Sequence, residues 1–296
     1  MAYYLGIDGG GSKTSCLLGD PASVLGAGRS SGSNPIRVGA EKAQEALADA
    51  IHQACGQAKI APREITKTCV GVAGAARAET SELIRNILLG VVGGEIQVVG
   101  DMEIALAAAS GTGPGVVVIA GTGSIAYGRN SSGRTARAGG WGFAISDEGS
   151  GQWIGRAAIS TALRSEDEGN ASKLLDAILQ RWNLQGHEQL ILKSNSMPPP
   201  DFATLMPVVQ QSADGRDAAA QELLEEAGKV LAKIGNIVIG KLFEPYETVP
   251  VAMSGGVFEH SPPVRQSFYN HLRRPVSLVP HIVEPVNGAL EIARGS

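Results

Sequence analysis

The residues of this sequence best suited to chemistry lie in glycine-rich turns that interrupt apolar segments. The first turn, Asp8-Gly9-Gly10-Gly11-Ser12-Lys13-Thr14, separates two apolar runs and predicts a β-hairpin. Consecutive glycines let the backbone approach a ligand closely, and their N–H groups can converge on a phosphate. Lys13 adds a positive charge, and Ser12 and Thr14 add hydroxyl donors. A tight hairpin with a spare lysine explains the same turn equally well.

Two similar turns, Gly121-Thr122-Gly123-Ser124 and Ser254-Gly255-Gly256, also follow apolar strands. The strand, turn and strand around Thr122 repeat the first hairpin, which predicts a duplicated fold with one turn from each half facing a shared cleft. Three such turns indicate a nucleotide whose phosphates lie between the first two and whose adenosine lies at the third. A Walker A loop is absent because no glycine stands at the required offset before Lys13. A Rossmann fingerprint is disfavoured because residues 125–129 have strand character where a helix is needed.

Two aspartates at strand ends are candidates for metal binding and catalysis. Asp8 meets the first turn, where it can hold Mg²⁺ through water beside phosphates, with capping of the turn's amides as the alternative. Asp101 follows a short strand and precedes a helix, where the commonest role is an N-cap. As a general base it would accept a hydroxyl proton during phosphate transfer. Spacing alone favours the cap.

Two loops carry residues suited to a sugar. Trp141, Asp147 and Glu148 lie among the glycines of residues 139–151, and an aromatic face beside carboxylates matches the apolar face and the hydroxyls of a sugar ring. Trp141 could equally fill the core. Asn34 precedes a proline, where turn chemistry is the default explanation. The five histidines do not cluster, so no metal or catalytic role is predicted for them.

The elements that must position these residues alternate between strands and helices, which predicts an α/β fold with parallel pairing. Glycines at residues 111–115 mark a boundary between two halves, and residues 26–35 are predicted to form a loop. Apolar periodicity predicts strands at 67–73, 95–99, 116–120, 125–128, 248–253 and 276–279, and helices at 40–58, 79–89, 102–110, 152–163, 218–242, 263–272 and 287–293.

Composition narrows the classes of partner. A chain of 296 residues that is 43% hydrophobic and 18% charged is typical of a folded globular protein. The net charge of −4 and the lack of a basic stripe disfavour nucleic acid as a partner. Three widely spaced cysteines predict neither a disulfide framework nor a metal site. No secretory signal and no membrane-length apolar run of about 18 residues is visible, so no membrane partner and a cytoplasmic location are expected.

Taken together, these residues make the sequence similar to the superfamily of sugar kinases, acetate kinase, Hsp70 and actin. Within it, the sequence most resembles the branch of N-acetylglucosamine kinases, glucosamine kinases and BadF/BcrA-type ATPases. The resemblance extends over nearly the whole chain. The resemblance rests on eight motifs, which are, in order, residues 6–14, 33–35, 71–74, 100–101, 120–124, 139–142, 147–151 and 254–257.

The resemblance implies two RNase H-like lobes of the actin-like ATPase fold with an active-site cleft between them. The N-terminal lobe would comprise residues 1–112 plus 285–296, and the C-terminal lobe residues 113–284 with a helical insertion. It further implies a kinase that uses ATP and Mg²⁺ to phosphorylate an amino sugar. N-acetylglucosamine at its 6-hydroxyl is the first expectation, with glucosamine and N-acetylmuramic acid as further candidates. A homodimer is also expected.

The same resemblance assigns roles to individual residues. Asp101 would be the catalytic base and also contact the sugar, and Asp8 would hold the metal through water. The expected nucleotide-binding residues are Gly9, Gly10, Gly11, Ser12, Lys13, Thr14, Gly121, Thr122, Gly123, Gly255 and Gly256. The expected sugar-binding residues are Asn34, Asp101, Thr122, Trp141, Gly142 and Asp147.

Two other functions are compatible with this fold. One is an ATPase that activates a partner enzyme. Such activators join two subunits through an iron–sulfur cluster held by cysteines in the central part of the chain, whereas Cys16, Cys55 and Cys69 all precede residue 70. The other is a sugar sensor without catalysis on a kinase fold.

Overall fold

The computed structural model describes residues 2–75, 77–170, 173–273 and 275–295. Its strands are β1 Tyr4–Gly9, β2 Lys13–Gly19, β3 Val24–Ser31, β4 Lys67–Val72, β5 Glu95–Val99, β6 Gly115–Ala120, β7 Ser124–Arg129, β8 Thr135–Gly139, β9 Val249–Ser254 and β10 Val276–Val283. Its helices are α1 Pro35–Val38, α2 Ala40–Ala58, α3 Ala78–Val91, α4 Asp101–Ser110, α5 Gly151–Asp167, α6 Lys173–Trp182, α7 His187–Ser194, α8 Met206–Asp214, α9 Ala218–Leu242, α10 Gly256–His260, α11 Pro262–Asn270 and α12 Pro285–Arg294, with short 3-10 turns at Pro62–Glu64 and Phe202–Leu205.

Two mixed five-stranded sheets share one topology. The first has the strand order β3-β2-β1-β4-β5 and the second β10-β9-β6-β7-β8. Each sheet begins with three consecutive antiparallel strands, β1–β3 in the first sheet and β6–β8 in the second. Two further strands then run parallel to the first strand of the sheet, β4 and β5 in the first sheet and β9 and β10 in the second. The predicted duplication of a strand, glycine turn and strand unit is therefore confirmed.

Strand direction brings the candidate residues to one edge of each sheet. Asp8 pairs in register with Gly71 of β4, and Gly71 pairs with Val99 of β5, two residues before Asp101. In the second sheet, Ile119 pairs with Ser254. Since parallel strands end at the same edge, the glycine turns that follow β6 and β9 are neighbours.

Each sheet has its own apolar core. Leu5 and Ile7 of β1 lie fully buried in the core of the first sheet, and Val116 and Val118 of β6 lie buried in the core of the second. No helix within the described ranges is long and apolar enough to cross a lipid bilayer.

The C-terminal helix α12 packs on β1 and crosses α4 closely. A Cβ at Gly288 would lie 2.0 Å from the carbonyl oxygen of Ile104 and 2.4 Å from the amide nitrogen of Ala108. Because both atoms belong to the backbone of α4, they cannot move aside as a side chain could. The crossing thus depends on the absence of a side chain at Gly288.

Gly288→Ala is therefore expected to lower the free energy of unfolding by roughly 1–3 kcal/mol through overpacking. Gly240→Ala is the matched control, since no atom lies within 4 Å of its added Cβ, and alanine in a helix is favoured over glycine by about 0.5–1 kcal/mol. Urea denaturation of both variants measures the difference. Equal stability of the two variants would contradict this account of the crossing.

The structure corrects the sequence prediction at the end of the first hairpin unit. The predicted loop at residues 26–35 is wrong over its first part, because β3 extends from Val24 to Ser31 and pairs with β2. Strand β8 and helix α10 were not predicted. The lobe boundary at residue 112 stays a prediction, while the strands of the first sheet come from residues 4–99 and those of the second from residues 115–283.

Candidate active site between the two sheets

The first two glycine turns touch each other. The side-chain oxygens of Ser12 and Thr122 lie 3.0 Å apart, although the residues are 110 positions apart in the chain. Each turn is closed by its own backbone: Gly10 N donates to Lys13 O at 3.0 Å, and Gly121 N donates to Gly123 O at 2.9 Å. Two preformed turns, one from each sheet, therefore face a common space.

The third glycine turn lies against the second. Gly255 adopts φ 98° and ψ 159°, a backbone conformation that is essentially restricted to glycine. A Cβ at Gly255 would lie 2.5 Å from the carbonyl oxygen of Ala120 and 3.0 Å from the amide nitrogen of Gly121. All three predicted nucleotide-binding turns consequently meet in one region of the molecule.

The N-terminus of α5 supports the second turn. Gly151 N donates to Gly121 O at 2.8 Å, and Gln152 N donates to Thr122 O at 3.3 Å. The buried Ser150 caps the helix by accepting from Trp153 N at 3.2 Å. The positive end of the helix dipole thus lies beside the turn, where it favours a bound anion.

Thr14 lies in the base of the hairpin rather than at its tip. Its side chain is fully buried, and its hydroxyl lies 2.7 Å from Ser31 O and 2.8 Å from the hydroxyl of Ser33. Ser12 and Lys13, in contrast, are exposed. In this conformation Thr14 stabilises the turn, and its predicted contact with a phosphate stays a prediction.

Asp8 and Asp101 form an acidic pair at the edge of the first sheet. Burial raises the pKa of Asp8 from 3.8 to about 7, with a further contribution from the negative charge of Asp101 and an opposing one from Lys13. Burial also raises the pKa of Asp101, and the backbone N–H of Met102, which donates to Asp101 Oδ1 at 2.9 Å, opposes the shift. Burying two carboxylates side by side destabilises the fold, so such pairs are found mainly where they serve a function. Asp8 and Asp101 are therefore candidates for a functional site.

The N-cap of α4 is Gly100, not Asp101. Glu103 reaches back to accept a hydrogen bond from Gly100 N at 3.1 Å. Asp101 is the first helical residue, so the capping role that its spacing favoured belongs to its neighbours. The role of Asp101 as the base stays a prediction.

The pKa of Asp8 leads to a prediction about stability. Because the native-state pKa of about 7 exceeds the ordinary aspartate value of 3.8, the native protein binds more protons at this site than the unfolded chain between these values. The contribution of Asp8 to stability therefore falls as the pH rises from about 4 to about 7. At pH 8, Asp8→Asn is expected to raise the free energy of unfolding by up to a few kcal/mol, and the melting temperature with it. Below pH 4, both should change little.

Asp20→Asn is the matched control for Asp8→Asn. Hydrogen bonds from the backbone of Ala22 and Ser23 lower the pKa of Asp20. Its contribution is present above the unfolded-state pKa and is lost as the pH falls, so this variant should lose stability at pH 8. Thermal melts with a chelator at both pH values check both signs, and a less stable Asp8→Asn protein at pH 8 would contradict the desolvation argument.

Asp147 connects the loop that is predicted to bind the sugar to the second glycine turn. It is buried, with a left-handed φ of 63°. Its Oδ1 accepts from Gly142 N at 3.3 Å, and its Oδ2 lies 2.8 Å from the position of a Cβ at Gly123. Burial raises the pKa of Asp147. The predicted sugar residues Gly142 and Asp147 thus lie directly beside the predicted phosphate turn.

Trp141 is exposed at the surface, and Asn34 caps a short helix. The indole of Trp141 is 64% exposed, which rules out the alternative that it fills the core, and the guanidinium of Arg137 lies 4.1 Å above its ring. Asn34 is the N-cap of α1, where its Oδ1 accepts from Ile36 N at 3.0 Å. Turn chemistry therefore accounts for part of the role of Asn34. The ligand contacts assigned to both residues stay predictions.

Sequence reasoning missed three polar residues at this site, Arg37, Gln152 and Asp201. Arg37 Nη2 donates to Asp201 Oδ2 at 2.7 Å, and Gln152 Nε2 donates to Asp201 Oδ1 at 2.6 Å. Arg37 and Asp201 are 164 positions apart, so no local spacing links them. A weak signal was available, because Asp201 follows the rigid segment Pro198-Pro199-Pro200.

A magnesium site fits the donors present. No group of three or more His, Cys, Asp or Glu side chains that could hold a metal ion occurs in the described part of the chain. Magnesium in phosphate-transfer sites is usually bound by one or two carboxylates, waters and substrate phosphates. A cation beside Asp8 would also offset the charge that burial and Asp101 disfavour.

Comparison with known proteins agrees with this geometry. The BadF/BadG/BcrA/BcrD ATPase family matches residues 5–293 of the chain. The N-acetylmuramic acid/N-acetylglucosamine kinase of Clostridium acetobutylicum is 36% identical over 266 residues, covering 88% of this chain and 87% of that one. The N-acetyl-D-glucosamine kinase of Dictyostelium discoideum is 31% identical over 274 residues, covering 86% of this chain and 85% of that one.

A solved structure extends the likeness to the fold. The crystal structure of a proposed N-acetylglucosamine kinase from Chromobacterium violaceum superposes with a TM-score of 0.81 at 26% identity, over 98% of each chain. The expected fold class, two α/β lobes of the actin-like ATPase type, is confirmed.

Proposed function

Because the chain belongs to the BadF/BadG/BcrA/BcrD ATPase family, we propose that it is an ATP-dependent kinase that phosphorylates an amino sugar. The observation that carries this proposal is the 3.0 Å contact between Ser12 and Thr122. It brings a glycine turn from each sheet to the edge where Asp8 and Asp101 lie. Such a two-sided enclosure suits a chain of phosphates held in line with a sugar hydroxyl.

Asp101 acts as the general base in this mechanism. Its carboxylate accepts the proton of the sugar hydroxyl as the hydroxyl oxygen bonds to the γ-phosphorus and the bond to the bridging oxygen of ADP breaks. Burial, which raises the pKa of Asp101, makes the carboxylate a stronger base than an exposed aspartate. The bond from Met102 N holds Asp101 Oδ1 in a fixed orientation.

The glycine turns bind and orient the nucleotide. The N–H groups of Gly10 and Gly121 close their own turns, so those of Gly11, Ser12, Thr122 and Gly123 face the phosphates, and Lys13 adds a positive charge. Gly255 and Gly256 lie beside the adenosine. Mg²⁺, when bound beside Asp8 through water, supplies charge neutralisation of the phosphates.

The sugar lies between the loop of Trp141 and the loop of Asn34. Asp147 accepts hydrogen bonds from sugar hydroxyls, and its bond from Gly142 N fixes its orientation. We propose N-acetylglucosamine as the preferred sugar, because the relatives from Clostridium acetobutylicum and Dictyostelium discoideum are both kinases of N-acetylglucosamine. Its 6-hydroxyl, the position that the family resemblance implies, is the proposed acceptor.

A coupled assay of ADP release over a panel of amino sugars tests this function. The proposal expects ADP release that requires N-acetylglucosamine, glucosamine or N-acetylmuramic acid, and a product whose phosphorus couples to the protons at carbon 6. An activating ATPase would hydrolyse ATP at a rate that sugars do not change. A sugar sensor would bind the sugar and release no ADP. Either result would replace the proposed function.

The structure offers little support for the activating ATPase. All three cysteines are buried free thiols in the first sheet and its helices. Burial raises the pKa of each thiol, which disfavours the thiolate that ligates iron. These cysteines are therefore poorly placed to bridge two subunits through a cluster.

Trp141→Ala tests the sugar site specifically. Loss of a stacking surface worth about 0.5–1.5 kcal/mol is expected to raise the KM for the sugar up to about tenfold. The KM for ATP should change little, because the proposal assigns Trp141 to the sugar and not to the nucleotide. Tyr246→Ala is the control, since Tyr246 is also a highly exposed aromatic, at 81%. Equal effects on both KM values would contradict this assignment.

The expected homodimer and the cytoplasmic location complete the proposal. The reduced state of all three cysteines is compatible with a reducing compartment. Light scattering of the purified protein, whose protomer mass is 30.5 kDa, measures the oligomeric state. A monomeric mass at micromolar concentration would remove the dimer from the proposal.

A further inference from the structure

An ion pair joins the two sides of the cleft beside the glycine turns. Arg37 Nη2 donates to Asp201 Oδ2 at 2.7 Å, and the side chains are 33% and 43% exposed. Arg37 belongs to α1, which follows the first sheet's β3, whereas Asp201 precedes the 3-10 turn that packs on α5. The pair therefore links the same two regions that Ser12 and Thr122 connect.

Asp201 is held rigidly to the second glycine turn. Its Oδ1 accepts from Gln152 Nε2 at 2.6 Å and from Ala203 N at 3.2 Å. Gln152 is buried, its Oε1 accepts from Phe202 N at 3.1 Å, and its own backbone N donates to Thr122 O at 3.3 Å. A continuous chain of hydrogen bonds thus runs from Thr122 to Asp201.

Arg37 is held equally closely to the first glycine turn. A Cβ at Gly11 would lie 3.0 Å from Arg37 Cδ, so the stem of Arg37 passes directly over this turn. Arg37 N donates to Asn34 O at 3.0 Å, and Asn34 N donates to Gly10 O at 3.2 Å. The guanidinium therefore moves with the hairpin tip.

Building on the proposed function, we propose that Arg37 is a positioning residue for ATP. Its ion pair with Asp201 holds the hairpin turn at the distance from the Gly121–Gly123 turn at which both can grip one triphosphate. A single contact between Ser12 and Thr122 can act as a pivot, and a second, charge-assisted contact removes that freedom. Arg37 acts through the spacing of the two turns and touches no reacting atom.

A disulfide cross-link measures this spacing without any nucleotide or sugar. Since Ser12 Oγ and Thr122 Oγ1 lie 3.0 Å apart, cysteines at both positions start within reach of each other. Oxidised glutathione accepts the two electrons as the two thiols form the bond. The native cysteines are buried and have raised pKa values, so they contribute little background.

In the Ser12→Cys, Thr122→Cys background, Arg37→Gln and Asp201→Asn are each expected to slow cross-linking about two- to fivefold, the range of an exposed ion pair. The double variant should be no slower than the slower single variant, because both remove the same interaction. High salt should reduce the difference from the parent protein. Lys67→Met is the control, since the Lys67–Glu95 pair at 3.6 Å lies within the first sheet.

With native Ser12 and Thr122, the two variants are expected to raise the KM for ATP by a similar factor and to leave kcat for the sugar nearly unchanged. Arg37→Lys should recover part of the affinity. Cross-linking at the parental rate in both variants would overturn the proposal, and so would slower cross-linking with an unchanged KM for ATP. If cross-linking slows but no sugar is phosphorylated, the proposed function fails while the ion pair's control of the spacing stands.

Discussion

Asp101→Asn is expected to lower kcat by about 10²- to 10⁴-fold while the protein folds normally. The amide keeps the size of the carboxylate and can still accept a hydrogen bond from Met102 N, which is 2.9 Å from Asp101 Oδ1. It cannot take up the proton of the sugar hydroxyl. Burial raises the pKa of Asp101, so the charged carboxylate destabilises the native protein at high pH. Because the amide carries no charge, the melting temperature of the variant should not fall.

The measurement is the coupled release of ADP, with thermal melts of both proteins at pH 8. The acid limb of the wild-type pH profile for kcat should lie above 3.8, the ordinary pKa of an aspartate, because the Asp101 carboxyl holds its proton more strongly than an exposed one. Glu103→Gln is the matched control. Its amide oxygen can still accept from Gly100 N, and kcat should stay within a few fold of wild type. Near-native turnover by Asp101→Asn would remove the proposed base.

Gly255→Ala is expected to weaken ATP binding at least tenfold. The backbone of Gly255, at φ 98° and ψ 159°, is in a region that costs other residues about 1–3 kcal/mol. The added Cβ would also lie 2.5 Å from Ala120 O, so the third turn must move away from the second. A displacement that costs about 1.4 kcal/mol of binding free energy corresponds to tenfold in affinity.

Calorimetric titration with a non-hydrolysable ATP analogue measures this loss. Gly169→Ala separates backbone strain from the loss of the turn, because Gly169 has a positive φ of 78° with no atom within 4 Å of an added Cβ. That control should lose roughly 1–2 kcal/mol of stability and keep its ATP affinity. Unchanged affinity in Gly255→Ala would contradict the assignment of this turn to the nucleotide.

Most elements of the fold follow from the local sequence pattern. The helix at Ala40–Ala58 and the strand at Glu95–Val99 begin and end where periodicity predicts. Strand β3 does not, because its glycines are typical of a loop. A Cβ at Gly28 would lie 1.9 Å from the carbonyl oxygen of Ala50 in α2. The glycine serves close packing of a helix on the strand, which is a long-range requirement with no local pattern.

The three glycine turns and the strands before them could be predicted from short segments, because they depend on backbone freedom and apolar periodicity. Which residues meet at the site became clear only from the packing of the folded chain. It placed Ser12 against Thr122, buried the hydroxyl of Thr14 in the hairpin, and paired Arg37 with Asp201 across 164 positions. The contact of Ser12 with Thr122 and the pair of Arg37 with Asp201 arise where the two sheets pack together, and Thr14 is buried where β2 pairs with β3. The spacing of residues along one chain carries no record of that packing.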